Sequence, residues 1–331
     1  MKVVIPVAGI GSRLRPHTHT QPKSLVPVAG KPLLGHIIDS LLEQGLQDFV
    51  FIIGYLGDKV ELFIRENYEG KLNMTFVVQE PREGLAHALW VAKEQLINEE
   101  QILVVLGDTI AHLNWKALLS MRTSAVGVKK VSQPVLFGIA ETDPNGRILR
   151  LEEKPKIPKS NLALVGIYKL NNLPRLFDSI RYLIDNQLKN RGEYHLTDAL
   201  QRMIEQGEEI YALPVRHWYD CGKKETILEA NAILLNQSKY KTDLPHFPNT
   251  IIIPPVSIGQ NCKISNSIIG PNVAIGNDAI VHSSIISNSI IGSFSHLDYV
   301  VLHDSIIGND SALKGLRQSL NIGDNTEINF Q

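Results

Sequence analysis

The carboxyl-terminal quarter of the chain repeats itself, and this repetition narrows the choice of folds more than any other feature. Ile-Gly pairs stand at 258, 269, 275, 291, 307 and 322; from 275 onward they recur about every 16 residues. Aliphatic residues come about every five or six positions, each followed by a small or polar turn, as in VSIGQNCKI, SIIGPNVAI and SIIGND. A short strand that turns and stacks on the next copy of itself buries one aliphatic side chain per face. The expectation is a triangular solenoid of short parallel strands, about four coils over 251–331.

A different grammar precedes it. The runs VVIPVAG (3–9), DFVFIIG (48–54), NMTFVVQ (73–79) and QILVVLGD (101–108) are nearly continuous apolar stretches, as in strands covered on both faces. Helical periods lie between them at 31–45, 58–68 and 84–96. Leu33, Ile37, Ile38 and Leu41 share one face of the first, and Gly45 is its stop. Strand and helix alternating at this spacing give an α/β doubly wound, mixed but mainly parallel sheet, with ligands beyond the carboxyl ends of its strands. Residues 1–235 are read as this domain. NQSKYKTDLPHFPNT (236–250), polar with two prolines, is read as a linker, and 251–331 as the solenoid.

Charge removes several functions. The 331 residues carry 33 Lys+Arg against 34 Asp+Glu, so no basic excess calls for nucleic acid or an anionic membrane. No apolar run reaches the roughly 18 residues of a membrane span, and MKVVIPVAGIG does not read as a signal peptide. Cys221 and Cys262 are too few for a disulfide framework, so a cytoplasmic setting is expected.

The first strand runs into GIGSRLRP (9–16). A glycine-rich turn at that point lets backbone N–H groups approach a polyphosphate. Gly9 and Gly11 fit that need, and Arg13 and Lys23 add positive charge. PVAGIGSRLRPHTHTQPKSLVPVAGKPLL (6–34) resembles the signature of the sugar-1-phosphate nucleotidylyltransferases: a Gly-X-Gly-Ser-Arg-Leu loop, then Pro-Lys and Lys-Pro elements. Ala8 stands where many members have Gly.

Further motifs follow in that family's order. In QEPREGLAHAL (79–89), the Gln79 amide offers a donor and an acceptor together, which suits a pyrimidine edge; the resemblance makes Gln79 and Gly84 contacts of the nucleotide base. LGDT (106–109) ends an apolar strand on Asp108, a carboxylate costly to bury without a cation. The resemblance makes Asp108 a magnesium ligand, with Thr109 in place of the family's usual Asn. EEKP resembles the family's sugar-phosphate element, which implies Glu153 on sugar hydroxyls and Lys154 on the sugar phosphate, with GIY (166–168) at the family spacing. HWYDCGKKETILEAN (217–231) resembles the family's Trp-X-Asp-X-Gly element, which implies Asp220 as the second magnesium ligand, with Gly222 opening the next helix and Lys223 where many members have Thr. By the same resemblance Ala8, Gly9, Gly11, Ser12, Arg13 and Lys23 line the nucleotide. Gly138, Gly166, Tyr168, Glu193 and Trp218 join Glu153 and Lys154 around the sugar phosphate. Arg13, Lys23 and Lys154 are the candidate catalytic cations.

The family's activity implies a nucleoside triphosphate and a sugar 1-phosphate as substrates, with Mg²⁺. The tail, including SLNIGDNTEI (319–328), resembles the hexapeptide-repeat left-handed β-helix of long-form glucose-1-phosphate thymidylyltransferases, which favours dTTP and glucose 1-phosphate. UTP- or GTP-dependent enzymes of the UDP-glucose or GDP-mannose type are the alternative, as is a non-catalytic sugar-nucleotide sensor. The tail is either structural, with self-association as a homo-oligomer or a dimer, or an acyltransferase with His282, His296 and His303 as candidate bases.

Overall fold

The computed structural model describes residues 1–237 and 245–315. The middle of the linker and the SLNIGDNTEI element, with its Ile-Gly pair at 322, lie outside the described residues. Two compact units divide the chain: Met1–Pro27 with Lys31–Ala230, and Val28–Gly30 with Asn231–Gln331.

The first unit is built on one nine-stranded sheet. Strands β1 (Lys2–Pro6), β2 (Asp48–Ile53), β3 (Asn73–Val78) and β4 (Ile102–Val105) pair in parallel, in the order β4-β1-β2-β3. Helices α1 (Leu33–Leu42), α2 (Gly57–Tyr68) and α3 (Leu85–Val91) follow strands β1, β2 and β3. Val3 and Ile5 pack into one buried cluster with Ile37, Ile38 and Leu41 of α1, whereas Val4 and Val104 join Ala88 and Leu89 of α3 in another. Both faces are therefore covered, which is why these strands read as unbroken apolar runs.

A short strand, β5 (Thr109–His112), leaves the turn after β4. Past it the sheet continues by antiparallel pairing. Strand β6 (Ser124–Lys130), β7 (Gly138–Thr142) and β8 (Ile148–Glu153) precede the long β9 (Leu162–Leu170), which pairs antiparallel with β4, β6 and β7. Helices α4 (Leu173–Asp185) and α5 (Leu196–Glu205) follow, then β10 (Ile210–Pro214), parallel to β6. Finally β11 (His217–Asp220) pairs antiparallel with β5, off the main sheet.

The second unit contains three four-stranded parallel sheets, each gaining one strand per coil, and they fit the expected left-handed β-helix. Ile251, Ile268, Ile285 and Val301 are in register on one sheet, as are Ile264, Val281, Leu297 and Leu313 on another. The inward residues Ile269, Ile275, Val281, Ile286, Ile291 and Leu297 form one buried stack. The Ile-Gly signal has a steric cause: a Cβ on Gly276 would lie 2.5 Å from the Ser293 backbone nitrogen of the next coil. Beside this glycine column Asn277 Oδ1 accepts from Gln260 N–H and Asn309 Oδ1 from Ser293 N–H, both at 2.9 Å. Another corner column, Asn261, Asp278, Phe294 and Asp310, takes the left-handed backbone; Asn and Asp tolerate it, and Phe294 is the exception within the column. His282 and His296 stand on one sheet and His303 on another; His282 Nδ1 lies 3.0 Å from Asp298 Oδ1.

Candidate active site

The turn after β1 carries the glycine-rich loop. Gly11 has φ +69°, and a Cβ there would lie 2.8 Å from Lys23 Cβ, so glycine is required both by conformation and by the closeness of Lys23. Leu14 N–H closes a tight turn onto Gly11 O at 3.0 Å. Ala8, Gly9, Gly11, Ser12, Arg13 and Lys23 line a cavity of about 740 Å³, together with Gln79, Gly84 and Asp108. Gln79 is buried; its Nε2 donates to Gly84 O at 2.9 Å and faces His87 Nδ1 at 3.3 Å. Burial holds the His87 imidazole below its ordinary pKa, which favours the neutral ring that accepts there. Both contacts use Nε2, so Oε1 is the end of the amide free to face a ligand.

A second cavity of about 1060 Å³ adjoins the first and shares Arg13, Asp108, Lys154 and Glu193 with it. Gly138, Glu153, Gly166, Tyr168, Trp218 and Asp220 line it. Every nucleotide-, sugar- and metal-site residue expected from the sequence thus falls on one or both of two joined cavities, whereas His282, His296 and His303 line neither.

The two distant aspartates meet through strand pairing. Asp108 sits in the turn between β4 and β5, and the β5–β11 register sets Asp220 opposite Thr109. Cys221 N–H donates to Asp108 O at 3.1 Å and clamps the end of the ribbon. Burial first, and then the charge of Asp108, raise the Asp220 pKa above the usual carboxylate range; Lys23, Arg13 and Lys223 pull the other way. Lys23 Nζ donates to Asp108 Oδ2. Arg13 lies beside Asp220: a Cβ on Gly222 would meet Arg13 Nη2 at 2.8 Å and Asp220 Oδ1 at 3.0 Å. Cys221 is buried, and burial pushes its thiol pKa up, which agrees with a packing role.

On the far side of the second cavity Glu153 is held in place. Thr197 Oγ1 donates to Glu153 Oε2 at 2.8 Å, Lys154 Nζ lies 3.2 Å from Oε1, and His195 Nδ1 is 3.9 Å away. Lys154 has φ +43°, uncommon for a residue with a side chain, and its N–H is tied to Phe137 O at 3.1 Å. Arg191 Nη2 donates to Lys154 O at 3.1 Å, and Arg191 also lines the cavity. The sequence reading stopped at Glu193 in RGEYHLTDAL and passed over Arg191, His195 and Thr197. The signal was present: Arg191 stands two residues before Glu193, and Thr197 sits in the first turn of the helix that follows. Trp218 packs edge-on against Phe137, ring centroids 4.9 Å apart, and its Nε1–H is buried without an acceptor among the described residues.

Such a pair of cavities, one under a glycine-rich loop and one beyond two acids, suits two phosphorylated ligands meeting end to end. The sequence matches the model of the nucleotidyl transferase family over residues 2–237. The chain belongs to the nucleotidyl transferase family. Within that family, a glucose-1-phosphate thymidylyltransferase of Streptomyces antibioticus is 31% identical over 331 residues, covering 96% of this chain and 90% of that one. A low-salt glycan biosynthesis nucleotidyltransferase of Haloferax volcanii is 37% identical, covering 73% of this chain and 68% of its own. The crystal structure of a UDP-glucose pyrophosphorylase with UDP-glucose superposes with a TM-score of 0.62 at 25% identity, covering 70% of this chain and 97% of that one. Among the described residues no helix is long and apolar enough to cross a membrane.

Proposed function

We propose that this nucleotidyl transferase condenses a pyrimidine nucleoside triphosphate, dTTP first, with glucose 1-phosphate to give a nucleoside diphosphate sugar and pyrophosphate. The observation that carries the reading is the convergence of Asp108 and Asp220 where the two cavities join. The sugar phosphate is already an anionic nucleophile near neutral pH, so the reaction needs no general base. Its obstacle is charge: like unit charges about 4 Å apart repel by roughly 4 kcal/mol at an effective dielectric near 20. Positioning and neutralisation are what the protein has to supply.

Each named group has a place in that task. Backbone N–H groups of the 9–13 loop and Arg13 take the triphosphate, and Lys23 reaches its α-phosphate. Lys154, with Arg191 bonded to its carbonyl, takes the sugar phosphate, and Glu153 accepts from sugar hydroxyls. Gln79 Oε1 accepts the imide N–H of thymine or uracil. Asp108 and Asp220 would hold Mg²⁺: two hard oxygen donors on one ribbon end suit that ion. Among the described residues no group of three or more His, Cys, Asp or Glu could hold a metal, so the remaining ligands would be phosphate oxygens and water. Bound there, Mg²⁺ would neutralise phosphate charge. Similarity to the Streptomyces thymidylyltransferase through the solenoid supports dTTP; the likeness to the pyrophosphorylase bound to UDP-glucose favours UTP as the second reading. Pyrophosphate release, measured for five nucleoside triphosphates against several sugar 1-phosphates with Mg²⁺, tests both. Turnover is expected with dTTP or UTP and glucose 1-phosphate, and release from no combination overturns the proposal.

A further inference from the structure

We infer that Lys23 guards Asp108: without nucleotide its ammonium occupies that carboxylate, and it releases the acid to a divalent cation only by moving onto the phosphates of an incoming nucleotide. The inference rests on the nucleotidyl-transfer reading of this site and adds an order of events to it.

Three observations support it. The Lys23 ammonium is bonded to Asp108 Oδ2, with side-chain exposures of 14% and 28%, so the pair is partly shielded from water. The stem of Lys23 is wedged beneath the phosphate loop, within 2.8 Å of where a Gly11 Cβ would stand. Lys23 and the loop line the same cavity, so a phosphate seated on the loop lies within the sweep of the ammonium. Lysine suits such a movement: its charge is a point on a flexible stem with rotatable donors, whereas an arginine fork favours one fixed pairing. Arg13 stands near Asp220, but of the two acids it is Asp108 that holds a bonded cation. A hydrated Mg²⁺ sheds water reluctantly and gains little from a carboxylate that already holds an ammonium. A triphosphate changes this balance by offering Lys23 denser negative charge than one carboxylate. Asp108 then faces the cation that arrives with the nucleotide, and binding of the two is positively coupled.

The test is a double-mutant cycle in EDTA, with dTTP and UTP as probes in titration calorimetry. Asp108→Asn should tighten triphosphate binding about tenfold, because Lys23 is freed, while the same change in a Lys23→Met background should shift it less than about threefold. Without nucleotide, Lys23→Met should bind Mn²⁺ about tenfold tighter than the wild type in paramagnetic resonance titrations. Equal gains from Asp108→Asn in both backgrounds would make Lys23 merely one more charge in the field and overturn the inference. Unchanged Mn²⁺ affinity in Lys23→Met overturns it as well. Circular dichroism melting verifies each variant, and Lys23→Gln replaces Lys23→Met if the latter does not fold. Failure of the parent reading has a separate signature: wild-type protein that binds neither triphosphate even with Mn²⁺, which removes both claims.

Discussion

The two units organise contacts in opposite ways. Around the cavities of the first, Arg13, Asp108, Lys154, Glu193 and Asp220 come from five separate segments, placed by sheet topology. In the second, each residue meets the one 16 or 17 positions away, and the same register repeats at every coil. The first arrangement concentrates function in a few side chains that contribute little to holding the fold; the second spreads stability over a stack in which every layer needs its neighbours. Substitutions should therefore separate the units, chemistry without unfolding in one and unfolding without loss of chemistry in the other.

The largest effect is expected at the acids. Asp108→Asn or Asp220→Asn should lower turnover by roughly a hundredfold to a thousandfold. The melting temperature of Asp220→Asn should hold or rise, since burial already disfavours the Asp220 charge. Pyrophosphate release and calorimetric melting together check this; near wild-type rates in either variant would remove that acid from the metal site. Next comes Ile286→Ala, which empties a fully buried position of the solenoid stack. It should cost about 2–5 kcal/mol of solenoid stability and leave turnover per folded molecule unchanged. A parallel fall in turnover would break the proposed separation. The smallest is Thr197→Val, similar in shape but without the hydroxyl that fixes Glu153. Loss of about 1 kcal/mol should appear as roughly a fivefold rise in the Michaelis constant for the sugar phosphate, with the nucleotide constant unchanged. A change confined to the nucleotide constant would move Glu153 off the sugar.

What could be read from the residues alone follows the same division. The solenoid was legible because its stacking rule is local: an aliphatic residue, a glycine with no room for a Cβ, then a corner that is Asn or Asp in three coils and Phe294 in the other. The glycine-rich loop was legible for a similar reason, since Gly9, Gly11 and Arg13 lie within one turn. Asp108 announced itself as a charge ending an apolar strand. Asp220 did not; only resemblance singled it out, because its place opposite Thr109 is set by β5–β11 pairing that no local pattern encodes. The antiparallel half of the sheet was also missed in detail. Strands β6 to β8 lack unbroken apolar runs, and β9 owes its central place to three partners far away in sequence. Arg191 stands two residues before Glu193, but what it reaches, the Lys154 carbonyl, is far away in sequence.

The ribbon of β5 and β11 carries one more consequence. Because main-chain pairing sets how far apart Asp108 and Asp220 begin, exchanging a cavity-facing residue of those strands should detune the pair less than a change in the pairing itself. Anyone re-engineering substrate choice in this enzyme can thus redraw the walls nearby and keep the two acids as an unaltered module.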